Sequence, residues 1–172
     1  VDKLGMEPYA GRMRAMLIFA FFPLLALLAQ PLGHASYWFP VIIIGIAGAA
    51  HQAWSANLFS TVGDMFPKSA IATITGIGGM AGGIGAFIIN KGSGALFDFA
   101  SGSTLVDGQA VVMTKELLAS GAQYLTGPMK FFRFEGIRAG YFIIFCICAV
   151  AYLIGWVVMK MLVPKYKPIV ID

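Results

Sequence analysis

The sequence predicts an all-α membrane protein with four transmembrane helices, and two observations lead to this prediction. Of its 172 residues, 59% are hydrophobic and 12% are charged, whereas about 25% of the residues in a soluble domain are charged. The apolar residues also form four blocks, each as long as the roughly 20 residues that a helix needs to cross about 30 Å of hydrocarbon. Because a soluble protein of this size has too little interior to cover so much apolar surface, we expect lipid to cover part of it.

The first two predicted spans are residues 13–32 and residues 37–63. The first contains Pro23 near its middle. The second opens with the aromatic pair Tyr37 and Trp38, which suits the headgroup level of a bilayer, and becomes more polar in its second half. Both blocks are long enough to cross the membrane once.

The third and fourth predicted spans are residues 69–97, which are rich in small side chains, and residues 139–163. Between them lies an insert, residues 98–138, which is too long to be a simple turn. Within it, residues 113–125 are expected to form one surface helix. Four spans place both ends of the sequence on the same side of the membrane.

The Lys and Arg residues lie at the ends of the apolar blocks and therefore indicate topology. The net charge of +4 does not indicate nucleic-acid binding, because that function needs a basic face or stripe. The side of the membrane that receives more Lys and Arg residues is expected to be cytoplasmic, so the insert is expected to lie on the exterior side. One side receives seven, Lys3, Arg12, Arg14, Lys68, Lys160, Lys165 and Lys167, and the other receives four, Lys115, Lys130, Arg133 and Arg138.

A polar stripe lies at the centre of the second span. Polar groups inside a membrane cost free energy unless they find partners or water, so the stripe is predicted to line a water-filled substrate cavity. Interhelical hydrogen bonding is the alternative. The stripe covers about 120° of the helix surface at about 100° per residue. Its members are His51, Trp54, Asn57 and Thr61, while Gln52 and Ser55 lie off its centre. His51 is interpreted either as a protonation switch or as a neutral hydrogen-bonding partner.

The third span contains two overlapping pairs of glycines at four-residue spacing, Gly78 with Gly82 and Gly79 with Gly83. Such pairs let a neighbouring backbone approach closely, and they also lower the resistance of the helix to bending. Tight helix packing is the favoured interpretation, and a hinge that moves during a transport cycle is the alternative.

Few other residues indicate chemistry. Lys91, beside Asn90 in the third span, either attracts an anionic solute or extends to the headgroups. Asp64 and Lys68 are expected to lie in a solvated turn. Because the second histidine, His34, lies in an exterior loop, we predict no metal site. No nucleophile has a base at a recognisable spacing, so we predict no cofactor, no catalytic residues and hence no enzyme.

Residues 51–88 resemble the tenth and eleventh helices of the major facilitator superfamily and, more narrowly, the hexuronate transporters of its anion:cation symporter family. The polar centre at residues 51–57, the D-x-F-P-K turn at residues 64–68 and the glycine-rich run at residues 75–85 carry the resemblance. The sequence LVPKYKP at residues 162–168 is also similar to that family.

The resemblance implies that the four spans are helices nine to twelve of a twelve-helix transporter in the bacterial inner membrane, with cytoplasmic termini. It implies proton-coupled uptake of a sugar acid such as glucuronate or galacturonate by alternating access. The implied partners are the sugar acid, protons, the lipid bilayer and amino-terminal helices missing from this sequence. Because the sequence starts at Val1 without an initiating Met, we expect it to begin partway through a longer chain.

Two features depart from the family pattern. The insert at residues 98–138 is longer than the usual connection before the last helix, and the carboxylates and arginines that usually handle protons and substrate charge belong mainly to the amino-terminal half. A second interpretation is therefore a complete small four-helix membrane protein that acts as a scaffold or sensor subunit without transport activity.

Overall fold

The computed structural model describes residues 7–167, and most of this part of the chain is helical. Four helical segments are long and apolar enough to cross a membrane, as the sequence predicts. They are Pro8–Leu32, Trp38–Met65, Lys68–Ser101 and Ile137–Leu162.

The first segment is interrupted in its middle. Helix α1 covers Pro8–Phe21, a 3₁₀ segment covers Phe22–Leu28, and helix α2 covers Ala29–Leu32. Pro23 stands in the first turn of the 3₁₀ segment. Its ring removes one backbone N–H donor and crowds the preceding turn, so the regular α-helical hydrogen bonding gives way to the tighter 3₁₀ pattern.

The next two spans are uninterrupted helices. Helix α3 covers Trp38–Met65 and helix α4 covers Lys68–Ser101. Between them Phe66 is extended, with φ −111° and ψ 149°, because the residue before a proline is disfavoured in the helical region. Pro67 therefore separates α3 from α4.

The segment between the third and fourth spans is shorter than predicted and is not purely helical. Because α4 continues to Ser101 and the last helix begins at Ile137, the insert is residues 102–136. The prediction of an all-α chain is wrong for this segment, which forms two antiparallel hairpins and one short helix. They are β1 (Ser103–Val106), β2 (Gln109–Val112), α5 (Lys115–Ala119), β3 (Lys130–Phe131) and β4 (Phe134–Glu135), followed by α6 (Ile137–Leu162).

The β1–β2 hairpin follows from its turn residues. Asp107 and Gly108 have φ values of +51° and +76°, as the two central residues of a type I′ turn require. A D-G pair between two apolar runs is a strong hairpin signal, and it is visible in the sequence TLVDGQAVV. The hairpin was therefore predictable from the sequence, although none of the predictions above includes it.

The expected surface helix over residues 113–125 is wrong in length, since α5 covers only Lys115–Ala119. Thr114 caps its start, where the side-chain oxygen Oγ1 accepts a hydrogen bond from the Leu117 N–H at 3.2 Å. Gly121, with φ +90°, lies just beyond its end, in the left-handed conformation that commonly terminates a helix.

The described residues form two compact units. The helical unit contains those up to Gly82 together with those from Cys146 onward, and the hairpin unit is Gly83–Phe145. In the helical unit a buried cluster of Tyr9, Met13, Met16 and Met65 packs against half-buried aromatic and aliphatic residues, which are Trp54, Leu58, Phe66, Trp156, Met159 and Val163.

The base of the hairpin unit is a close contact between α4 and α6. The rings of Phe97 and Tyr141 are 4.5 Å apart at their centroids. A Cβ atom added at Gly140 would lie 2.9 Å from the Phe97 ring and 3.4 Å from the Ala100 Cβ. Gly140 therefore allows the end of α4 and the start of α6 to lie against each other.

Candidate functional site

His51 and Trp54 of α3 converge on one residue of α6, Tyr152. The Tyr152 hydroxyl lies 2.5 Å from the Nδ1 atom of His51. The Trp54 and Tyr152 rings are 5.6 Å apart at their centroids and meet edge to face at 77°. We call His51, Trp54 and Tyr152 the aromatic triad.

The aromatic triad lies near mid-depth of both helices. His51 is 13 residues, or about 20 Å, from the start of α3, and α3 is 28 residues long. Tyr152 lies 15 residues into the 26-residue helix α6. Polar groups at this depth are far from the headgroups and are functional candidates in membrane proteins.

The indole nitrogen of Trp54 is buried. Within residues 7–167, its N–H donates a hydrogen bond to no acceptor. An indole N–H is only a donor, and leaving a buried donor unsatisfied costs about 1–3 kcal/mol. The other described indole beside the core avoids this cost, since Trp156 Nε1 donates to the carbonyl oxygen of Met13 at 2.9 Å.

The two polar-stripe residues nearer the end of α3 form hydrogen bonds with the backbone of their own helix. Asn57 Nδ2 donates to the Ala53 carbonyl at 2.8 Å, and Thr61 Oγ1 donates to the Asn57 carbonyl at 2.8 Å. Thr61 is also buried, with 5% of its surface exposed. These two side chains therefore satisfy backbone carbonyls of α3 in this structure, whereas His51 and Trp54 meet another helix.

Gln52 and Ser55, the two weaker members of the predicted cavity set, lie beside the stripe. Gln52 is exposed and Ser55 is half-buried. The cavity assignment of all six residues stays a prediction.

Tyr152 is the member of the aromatic triad that the sequence analysis misses. A phenol hydroxyl in the middle of the sequence AVAYLIGWVV is the available signal, because a hydroxyl deep in an apolar span needs a hydrogen-bond partner. Its partner was not identifiable from the sequence, since His51 is 101 residues away along the chain.

A second polar cluster joins the ends of helices in the helical unit. Arg12 Nε lies 2.6 Å from Asp64 Oδ2, the Tyr166 hydroxyl donates to the Asp64 carbonyl at 3.1 Å, and the Tyr9 hydroxyl donates to the Val163 carbonyl. Both partners of the ion pair are about one-third exposed. The expectation that Asp64 lies in a merely solvated turn is therefore wrong, although Lys68 is exposed as expected.

The glycine pairs of α4 face open space. A Cβ atom added at Gly78, Gly79, Gly82 or Gly83 would meet no atom of a neighbouring element within 4 Å, among the residues that the structure describes. The tight packing and the hinge predicted for these glycines both stay predictions. Further along α4, the predicted anion-attracting residues Asn90 and Lys91 are exposed on the hairpin unit, a placement that leaves both interpretations of Lys91 open.

The hairpin unit contains a cleft of about 490 Å³. Charged side chains of both signs line it, including Asp98, Lys115, Glu135 and Arg138, and Tyr124 adds an aromatic ring. This cleft was not predictable from the sequence, because its lining residues come from the end of α4, from the insert and from the start of α6.

No family model, curated protein or solved structure matches the chain. The aromatic triad combines a histidine, two aromatic faces and a buried donor that has no partner among the described residues. These features are typical of sites for polar ligands.

Proposed function

We propose that this chain forms part of the solute pathway of a secondary active transporter, which takes up a sugar acid together with protons by alternating access. The observation that carries the proposal is the buried, unpartnered indole N–H of Trp54 beside the His51–Tyr152 hydrogen bond. A buried donor of this kind is stabilised when a solute oxygen or a water molecule accepts its hydrogen bond.

A sugar acid is the substrate class that fits these groups. Its hydroxyl and carboxylate oxygens are acceptors for the Trp54 N–H, and its apolar ring face suits the aromatic side chains of Trp54 and Tyr152. The resemblance of residues 51–88 to hexuronate transporters narrows the class to compounds such as glucuronate and galacturonate. The inner membrane of a bacterium, with cytoplasmic termini, is the location that this proposal implies.

His51 supplies a way to couple solute and proton. Protonation adds a positive charge beside the aromatic triad, where it attracts the carboxylate of the solute. In the tautomer in which Nδ1–H donates to the Tyr152 hydroxyl oxygen, Nε2 is the ring nitrogen that binds the proton. Release of the proton weakens the attraction, so solute and proton bind and leave together.

The deciding experiment is to remove the Trp54 donor while keeping its ring. We expect Trp54→Phe, made in the protein with its full set of helices, to lower the kcat/KM for glucuronate uptake roughly tenfold or more, since a hydrogen bond to a charged group contributes about 1.5–3 kcal/mol. The measurement is initial uptake of labelled glucuronate into proteoliposomes with an inward proton gradient.

Trp38→Phe is the matched control, because Trp38 is 57% exposed at the start of α3 and is expected to change uptake little. Unchanged uptake by the Trp54→Phe protein would contradict the proposed pathway. Equal losses from both substitutions would indicate a general structural effect and would also count against it.

A scaffold or sensor subunit is the second candidate function. The charged cleft of about 490 Å³ in the hairpin unit favours it, because charged side chains from the insert and from the ends of α4 and α6 line it and suit a polar ligand. In that case the complete protein binds ligands without moving them. Proteoliposomes that take up no uronate under any gradient, although the protein is inserted and folded, would favour this candidate.

A further inference from the structure

The β3–β4 hairpin carries an exposed aromatic surface, which we call the aromatic patch. It consists of Phe131, Phe132 and Phe134 around Phe142 of α6. The three hairpin rings lie 6.2, 5.8 and 4.9 Å from the Phe142 ring, centroid to centroid. Phe132 stacks on it at 9°, yet 81% of its surface is exposed. A contiguous group of apolar rings that is partly exposed in this way indicates an interaction surface.

The backbone holds Phe132 in this exposed position against its own preference. Its φ of +55° lies in the left-handed region, which is strained for a bulky side chain. The hairpin around it is firmly held, since the Gly136 N–H donates to the Met129 carbonyl at 2.8 Å and Met129 donates to the Ala100 carbonyl at 3.0 Å. Strained residues that the surrounding structure holds in place often have a functional reason.

Cationic side chains flank the aromatic patch. Lys130 precedes it, with its Nζ 3.5 Å from Glu135 in an exposed ion pair, and Arg133 lies between Phe132 and Phe134, with its side chain exposed. Aromatic and aliphatic groups beside Lys and Arg form the composition of protein surfaces that lie in the bilayer interface. Lys and Arg side chains pair with lipid phosphates, and aromatic rings pack against the first methylene groups of the acyl chains.

The position of the hairpin decides which surface it meets. A single residue, Gly136, separates β4 from α6, and α6 is the most hydrophobic of the four candidate membrane spans. Phe142 lies five residues into α6, or about 8 Å from its start. The aromatic patch therefore lies at the level where this helix enters the hydrocarbon.

We propose that the aromatic patch is an interfacial anchor that inserts Phe132 into the lipid leaflet at the N-terminal end of α6, with Lys130 and Arg133 at the phosphates. The partner is the lipid surface. The anchor fixes the depth of α6 in the membrane. This inference depends on membrane insertion of α6 and is independent of the proposed transport function.

Site-directed spin labelling tests the anchor in the full chain. The label is placed at Phe132→Cys in a background of Cys146→Ala and Cys148→Ala, and the protein is reconstituted into vesicles of phosphatidylethanolamine and phosphatidylglycerol. We expect collisions with oxygen, which concentrates in lipid, to exceed those with a water-soluble nickel chelate. A label at Gln109→Cys, an exposed polar position of β2, is expected to show the reverse.

The same measurement identifies the outcomes that overturn the proposal. Equal access of the nickel chelate to labels at residues 132 and 109 would place the aromatic patch in water. Low collision rates with both reagents at residue 132 would place it against protein. Either result excludes a lipid anchor.

A second variant tests whether the Phe132 ring itself holds the depth. Phe132→Gly keeps the turn, because glycine adopts a positive φ without strain, and the label is moved to Phe131→Cys. We expect this label to become several-fold more accessible to the nickel chelate than in a protein that retains Phe132. An unchanged depth would overturn the proposal.

Discussion

Trp54 and Tyr152 each combine a large apolar ring with one polar atom, which allows both residues to lie deep in apolar helices. The Tyr152 hydroxyl meets His51 at 2.5 Å, so this pair is satisfied within the chain. Trp54 is packed edge to face against the same ring, but its N–H has no partner in the part of the chain that the structure describes. The aromatic triad is therefore preformed around one open hydrogen-bonding position.

We expect the His51–Tyr152 hydrogen bond to contribute a coupling free energy of about 0.6 kcal/mol, the average for polar contacts between membrane helices. A double-mutant cycle of His51→Ala and Tyr152→Phe measures it as the free energy of unfolding in detergent micelles. Tyr141→Phe is the control, because Tyr141 lies 11 residues, or about 16 Å, before Tyr152 on α6. Equal coupling of both tyrosines to His51 would contradict a direct hydrogen bond.

At the scale of elements, short sequence signals decide where helices end and turns form. Pro23 changes the first span from α to 3₁₀ geometry, and Pro67 separates α3 from α4. Asp107 and Gly108 set the β1–β2 turn through their positive φ values. Each of these effects acts over a few residues, so each is readable from the sequence once the turn chemistry is considered.

The ion pair between α1 and the end of α3 is an element-scale contact with a measurable contribution. Asp64→Asn keeps the size of the side chain but removes the charge that Arg12 Nε meets at 2.6 Å. Because the pair is partly exposed, we expect a loss of about 1 kcal/mol in the free energy of unfolding, smaller at high salt. Chemical denaturation in detergent measures it.

Lys68→Gln is the control for this ion pair. Lys68 is exposed at the start of α4, so its neutralisation is expected to change the free energy of unfolding by less than about 0.5 kcal/mol. If Asp64→Asn is as mild as Lys68→Gln, the ion pair does not join α1 to α3 in solution.

At the scale of the whole molecule, the spanning helices are unusually open to their surroundings. Along the apolar stretch of α4 no residue is buried within the described chain, and along those of α3 and α6 only 6% of the residues are. Lipid covers aliphatic faces, but a face of small residues in a membrane typically packs against another helix. If the chain belongs to the proposed transporter, we expect additional helices to pack against the glycine pairs of α4.

Gly82→Leu distinguishes packing inside this chain from packing against other helices. A Cβ atom added at Gly82 would meet no neighbouring element within 4 Å among the described residues, and leucine improves helix propensity by up to about 1 kcal/mol. The stability of the chain alone is therefore expected to be unchanged or slightly higher. In the proposed transporter we expect glucuronate uptake to be strongly reduced. The two measurements are unfolding in detergent and uptake into proteoliposomes.

Gly94→Leu is the matched control for this substitution, since Gly94 lies on the same helix outside the glycine pairs and also has no neighbouring element within 4 Å. Normal uptake by the Gly82→Leu protein would contradict helix packing at this face. Reduced uptake by both variants would assign the effect to α4 in general.

The sequence by itself determines the membrane class and the four long helices. Each apolar block of roughly 20 residues is favoured in lipid independently of the others, so composition and block length are sufficient to predict it. The same local reasoning extends to the turn at Asp107–Gly108 and to the Thr114 cap of α5, although neither was predicted above. Local free energies decide all of these features.

Only the tertiary structure decides which polar groups meet. Tyr152 reaches His51 across 101 residues of chain, and Arg12 reaches Asp64 across 52. The helical periodicity of α3 places His51, Trp54, Asn57 and Thr61 on one stripe, but it does not show that two of them contact α6 while the other two bond to their own backbone. Such pairings depend on how separate helices pack, and helix packing depends on the shapes of many side chains together.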